Sequence, residues 1–156
     1  MTEERDLGAI VARLTGRMQD HRGGLLPLLH ALCEEVGYVP DAAVPYIASG
    51  LNLSRADVHG VISFYHDFRR SPAGAHVVKL CRAEACQARG GSAIEAAAAA
   101  RLGVAMGSTR SDGQVTLEPV FCLGLCATGP NALVDGRPVS RIDAAALEQI
   151  ARTVSA

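Results

Sequence analysis

With 156 residues, 49% of them apolar and 20% charged, the chain is long enough to bury a core without staples and too apolar to stay disordered. Fifteen basic residues stand against sixteen acidic ones, seven against nine up to Arg70 and eight against seven beyond it. Neither half offers a face for a polyanion, and no nucleic-acid partner is expected. The amino-terminal Met1-Thr2-Glu3-Glu4-Arg5-Asp6 is acidic where a secretory signal is basic, and no apolar run approaches a membrane span. The expectation is a cytoplasmic chain without direct membrane insertion.

Leu7, Ile10, Val11, Leu14 and Met18 recur at three- and four-residue steps and predict a helix that Gly23-Gly24 ends. A second helix has Pro27 in its first turn, Leu28, Leu29, Leu32 and Val36 on one side, and Gly37 where a left-handed cap belongs. Pro40-Asp41 restarts the chain into a third short helix carrying Val44, Ile47, Ala48 and Leu51. Ser54 with Asp57 three residues on is a capping-box pattern for a fourth, with Val58, Val61, Ile62 and Tyr65 as its buried face. Residues 1–70 therefore read as a small helical bundle.

Turn formers at Ser71-Pro72-Ala73-Gly74 mark a boundary, after which the apolar period becomes strand-like. His76 to Leu80 predicts a strand that delivers Cys81 at its end. Ser92 with Glu95 predicts a capped, alanine-rich helix through Leu102, and the alanines at 96–100 read as helix surface or a close-packed seam. Val115 to Val120 reads as a strand whose Pro119 points to an edge or an end. Ala132-Leu133-Val134 and Val139 flank Asp135-Gly136, a hairpin signal, and Asp143 caps a last helix with Leu147, Ile150 and Val154 inward. The order β, α, β, β, α over residues 71–156, with cysteine-bearing loops, suggests a small α/β sandwich, and the whole chain an α+β protein.

Four of the five cysteines form two close pairs, Cys81-Arg82-Ala83-Glu84-Ala85-Cys86 and Cys122-Leu123-Gly124-Leu125-Cys126, with 35 residues between them. Each pair follows a predicted strand, and strand ends present successive loops at one edge of a sheet, so four thiolates could converge. Two irons bridged by sulfide take two thiolates each, which two pairs match, so one 2Fe-2S cluster is the first reading. Zinc sites more often use two-residue spacers, and disulfides or redox thiols are further alternatives. No histidine lies in either loop, against a Rieske centre. Gly124 and Gly129, and Gly90 and Gly91 after the first pair, let backbone N–H groups come close to a polyanionic group. Arg82 and Arg89 are candidates to ease reduction, or plain surface charges. The lone Cys33 reads as a small buried hydrophobe.

No catalytic residues are expected. Phe64-Tyr65-His66-Asp67-Phe68-Arg69-Arg70 gathers aromatic, acid and base groups, but two aromatics at helical spacing read as core, and a histidine beside them as a hydrogen-bonded interior or interface residue. His21, His30, His59 and His76 have no ligand spacing with one another, and there is no nucleotide fingerprint. Residues 41–65 have the spacing of a helix-turn-helix, which with an iron–sulfur sensor would make a redox regulator. Against it, Ser54 to Tyr65 holds one arginine and no lysine to meet phosphates.

These residues resemble the thioredoxin-like 2Fe-2S subunit of NADH-oxidising complexes, the small flavoprotein-associated subunit type of respiratory complex I. The resemblance runs from about Leu25 to Thr153. It lies in Leu28-Leu29-His30-Ala31-Leu32, Glu35-Val36-Gly37-Tyr38, Leu53-Ser54-Arg55-Ala56-Asp57-Val58-His59-Gly60-Val61 leading to Phe64-Tyr65, and both cysteine pairs in order and spacing. Ala83-Glu84-Ala85 and Cys122-Leu123-Gly124-Leu125-Cys126-Ala127 look most like the gamma subunit of soluble, NAD-dependent, molybdenum-containing formate dehydrogenases; His66 is also shared by NAD-linked hydrogenase subunits. The resemblance implies a docking bundle over 1–70, a thioredoxin-like ferredoxin domain over 71–156, and Cys81, Cys86, Cys122 and Cys126 as ligands of one 2Fe-2S cluster. It also implies partners: a flavoprotein subunit with FMN and the NAD site, and a larger subunit with molybdenum cofactor, with further iron–sulfur clusters on them.

Overall fold

The structure is a computed structural model that describes residues 2–18 and 23–154, so that Met1 and His21 lie outside it. The chain divides into two compact units, Met1–Pro72 and Ala73–Ala156. Among the described residues no helix is long and apolar enough to cross a membrane.

The first unit is helical. Helix α1 (Thr2–Met18) buries Leu7, Val11 and Leu14 at the spacing of one helical face. α2 (Leu25–Val36) buries Leu28, Leu29 and Leu32 and ends at Gly37, whose φ of 89° lets its N–H reach back to the carbonyl of Cys33. A single 3-10 turn, Asp41–Ala43, leads into α3 (Val44–Leu51), which buries Val44, Ile47 and Ala48. α4 (Arg55–Phe64) starts with a complete capping box: Ser54 Oγ accepts from the Asp57 N–H at 3.0 Å, and the Asp57 carboxylate accepts from the Ser54 N–H at 3.1 Å. These helices share one apolar core, against which the half-buried Cys33 packs, and burial pushes its thiol up from the ordinary range.

The aromatic cluster departs from expectation. Val58 and Ile62 are buried on α4, but Phe64 is 73% exposed and Tyr65 is 41% exposed, because the helix ends at Phe64 and Tyr65 turns to an extended backbone. Only Phe68 enters the core, 5.0 Å edge-on from His30, and His66 is exposed.

The second unit is a five-stranded mixed sheet in the order β2-β3-β1-β4-β5. Its strands are β1 (His76–Cys81), β2 (Ser108–Thr109), β3 (Val115–Val120), β4 (Asn131–Val134) and β5 (Arg137–Ser140). β1 and β3 run parallel from His76 opposite Val115 to Cys81 opposite Val120. A parallel pair needs a long crossover, and residues 82–114 supply it with a one-turn helix α5 (Glu84–Gln87) and α6 (Gly91–Leu102). β4 and β5 close a hairpin in which Asp135 (φ 49°) and Gly136 (φ 77°) both take the positive φ that a type I′ turn requires. β2 faces only Thr116 and Leu117, so the second half of β3, with Pro119, is an edge, where a residue without an N–H is tolerated.

The C-terminal helix α7 (Ala144–Val154) is capped by Asp143, whose carboxylate accepts from the Ala146 N–H at 2.8 Å. Its Leu147, Ile150 and Val154 pack with Ala98 and Leu102 of α6 and with Val78, Leu80, Val115 and Leu117 of the sheet. The predicted cap at Ser92 is not formed. α6 begins one residue earlier, after Gly90 at φ 90°, and the Ser92 hydroxyl donates to the side chain of Gln87 instead.

Candidate functional site

The site follows from the register of β1 and β3. Parallel neighbours end at the same edge of a sheet, and these two end level with each other, so the loop after Cys81 and the loop after Val120 start side by side. Cys81 closes β1 and Cys86 sits in α5, both buried. Cys122 and Cys126 occupy the second loop, both exposed, with their sulfurs 3.6 Å apart. Cys122 has φ 77°, a strained conformation for a residue with a side chain and one that recurs at functional sites. Cys126 opens a single 3-10 turn, Cys126–Thr128.

Backbone donors surround the sulfurs. Burial acts to raise the Cys81 thiol, but N–H groups of Ala83, Cys122 and Leu123 and the neighbouring Cys86 stabilise its thiolate, and the thiol lies below its ordinary value. Two of those three donors come from the second loop, which ties the pairs together. Burial pushes Cys86 up, and its place beside Cys81 adds to this, opposed by the backbone and side chain of Asn131. Cys126 is raised by its hydrogen bond to Cys122 and by charge repulsion within that pair, then by burial and by the charge of Cys81. Within each close pair, therefore, one thiol holds its proton more tightly because of the other. Among the described residues no three His, Cys, Asp or Glu side chains close around a single ion; the cysteines stand as two pairs.

Of the two glycines of the second loop, Gly124 brings its N–H to a sulfur, whereas the Gly129 N–H donates to the Cys126 carbonyl at 3.4 Å. Gly124, at φ 75°, donates its N–H to Cys122 Sγ at 3.4 Å. A Cβ on Gly129 would lie 3.2 Å from Cys86 Sγ, a contact that requires the neighbouring sulfur to give way by a few tenths of an ångström. After the first pair, a Cβ on Gly91 would stand 2.7 Å from the Cys86 carbonyl oxygen. The arginines differ from each other: Arg82 pairs with Glu95 at 2.9 Å, while Arg89 donates to the carbonyl of Ala127 at 2.9 Å and spans the two loops. Asn131 was not singled out from the sequence. It is 2% exposed and its Nδ2 lies 2.7 Å from the Leu125 carbonyl and 3.6 Å from Cys86 Sγ. The signal that could have found it is an asparagine, poor in strands, at the first position of a buried one.

Paired sulfurs on two adjoining loops, lined with N–H donors and closed by glycine, fit a dinuclear centre that takes two thiolates per iron. Fold and site thus define a class, a small α+β iron–sulfur protein of thioredoxin-like fold. The sequence pattern of the thioredoxin-like [2Fe-2S] ferredoxins matches residues 11–155. The E subunit of NADH-quinone oxidoreductase from Escherichia coli strain K12 is 38% identical over 117 residues, which cover 75% of this chain and 70% of that protein. Its counterpart from Mycobacterium tuberculosis is 38% identical over 122 residues, 78% of this chain and 48% of that protein. Among solved structures, an NAD+-reducing [NiFe]-hydrogenase in the air-oxidised state superposes with a TM-score of 0.71 at 23% identity, over 85% of this chain and 23% of that one. That likeness is one of fold, and the chain spans about a quarter of the hydrogenase chain's length. The chain belongs to the thioredoxin-like [2Fe-2S] ferredoxin family, and its cofactor is one 2Fe-2S cluster.

Proposed function

We propose that this chain is an electron-transfer subunit of an NADH-oxidising complex, in which Cys81, Cys86, Cys122 and Cys126 hold its cluster. The observation that supports the reading is the level ending of the parallel strands β1 and β3, which starts the loops of one buried and one exposed cysteine pair side by side. When bound, the cluster supplies reversible one-electron storage. The chain's own residues do the rest. Cys81 and Cys86 anchor the centre in the interior, the N–H groups of Ala83, Leu123 and Gly124 stabilise negative charge on sulfur, and the exposed Cys122 and Cys126 leave it open to a redox partner.

The partner is a flavoprotein subunit that binds FMN and NAD and exchanges single electrons with this one, and the helical unit is the docking element. For the parent enzyme we favour a soluble NAD-dependent formate dehydrogenase with a molybdenum-containing catalytic subunit, supported by Ala83-Glu84-Ala85 and Leu123-Gly124-Leu125-Cys126-Ala127 in the two loops. The NADH-quinone oxidoreductase relatives favour a second reading, the equivalent subunit of complex I, and the hydrogenase fold likeness a third. Affinity purification of the tagged chain from its own cells, with metal analysis of the eluate, separates them. Molybdenum and a flavoprotein co-eluting with it support formate dehydrogenase; nickel or a membrane-bound quinone reductase would replace that parent, and elution with DNA or with zinc alone would overturn the subunit reading.

A further inference from the structure

Asn131 is the one buried polar side chain, among the described residues, that reaches both cysteine loops. Its two side-chain N–H groups have two acceptors within reach, the Leu125 carbonyl at 2.7 Å and Cys86 Sγ at 3.6 Å. A carbonyl only accepts, so the amide nitrogen must face it, and the amide oxygen then faces the Thr128 hydroxyl at 3.3 Å. An apolar residue at this strand position would avoid burying an amide, whose desolvation is costly unless every group is bonded. The amide is bonded, and across elements: Cys86 in the short helix, Leu125 in the second loop, Asn131 at the start of β4.

We propose that Asn131 is a positioning residue that sets the reduction potential of the cluster, by donating a side-chain hydrogen bond to Cys86 while holding the second cysteine loop in place through Leu125. The proposal rests on Cys86 being a cluster ligand. Reduction adds negative charge that the thiolate sulfurs share, and an N–H donor on sulfur favours the reduced form. The backbone N–H of Asn131 also acts to lower the Cys86 thiol, and a leucine at this position keeps it, so the side-chain contribution is separable.

Asn52 and Asn131 are the two asparagines of the sequence, and Asn52 lies in the helical unit, remote in sequence from both cysteine pairs. The test uses the holo wild-type chain grown with asparagine labelled with 15N in the side chain only. Pulsed EPR of its reduced cluster is expected to show coupling to that nitrogen. A normal 2Fe-2S signal without this coupling overturns the role of Asn131 and leaves the four-cysteine reading intact, whereas a wild-type chain with no cluster signal overturns both. In Asn131→Leu, which keeps the branched outline and removes both donors, the equilibrium constant for reduction is expected to fall about tenfold, a shift of about 59 mV to more negative potential for one electron. A cluster-bearing Asn131→Leu with the wild-type potential contradicts the proposal. If that variant holds no cluster, the labelled wild type decides alone.

Discussion

The two cysteine pairs have the same chemistry and opposite surroundings. Cys81 and Cys86 are 5% and 1% exposed, at a strand end and in a helical turn, and both receive donors from elsewhere in the fold. Cys122 and Cys126 are exposed on a loop whose Phe121 is 69% exposed. On the proposed four-cysteine reading the difference is a division of labour: the inner pair, built into the fold, fixes where the centre sits, while the outer pair is presented to whatever exchanges electrons with it. An electron carrier needs both, since burial limits side reactions and exposure shortens the path to a partner.

The contrast is broken most severely at the cysteines. Cys86→Ser is expected to reduce bound iron from about two per chain to a trace, because a buried hydroxyl replaces a thiolate where no solvent can substitute. Cys122→Ser, at the solvent edge, is expected to keep part of the iron with a greatly altered EPR signal. Iron analysis and EPR of the two variants side by side read this directly, and equal losses would remove the distinction between the pairs.

Gly129→Ala sharpens it next. The added methyl stands 3.2 Å from Cys86 Sγ, and the inner pair must shift to admit it. A loss of about 1–3 kcal/mol in urea unfolding of the apo chain is expected from overpacking, together with poorer retention of iron. Arg89→Met removes the donor to the Ala127 carbonyl that joins the loops, an exposed contact whose loss is expected to lower stability by no more than about 1 kcal/mol. Its faster release of iron to a chelator is the more sensitive readout.

The smallest expected effect lies at the far end of β1 and serves as the control. Asp135 accepts from the Val77 N–H and pairs with His76 Nδ1, each at 2.8 Å. Burial acts to raise its carboxyl, but the His76 and Val77 contacts prevail and hold it below the usual carboxylate range. A folded-state value below the unfolded one gives stability that is present above the unfolded value of about 3.9 and lost as pH falls through the folded one. Asp135→Asn, which suits the turn, is expected to cost less than about 1 kcal/mol at pH 7, to converge with wild type in acid, and to leave the EPR signal unchanged.

What was legible in the sequence is what neighbours along the chain determine. The Ser54–Asp57 box, the Gly37 cap, the Asp135-Gly136 turn and the inward face of α7 each depend on a few adjacent residues, and each formed. The level meeting of the two loops followed from placing both pairs after strands. What was not legible depends on contacts across elements. α5 is a single turn too short to carry a periodic stripe, held by Gln87 N–H to Ala83 and Ala88 N–H to Glu84. β2 has two residues and exists through its pairing with β3. Ser92 carried a cap signal that failed because the chain turns into the helix at Gly90, which leaves Ser92 inside the first turn with its hydroxyl donating to Gln87. Asn131 became visible as part of the site once Cys86 and Leu125 were seen on either side of it.

The claim on which the rest depends is that both pairs share one di-iron centre. EPR of the chemically reduced wild-type chain, purified without air, measures it most directly. One paramagnetic 2Fe-2S centre per chain is the predicted result. An EPR-silent chain containing stoichiometric zinc, or both pairs closed as disulfides, would contradict it.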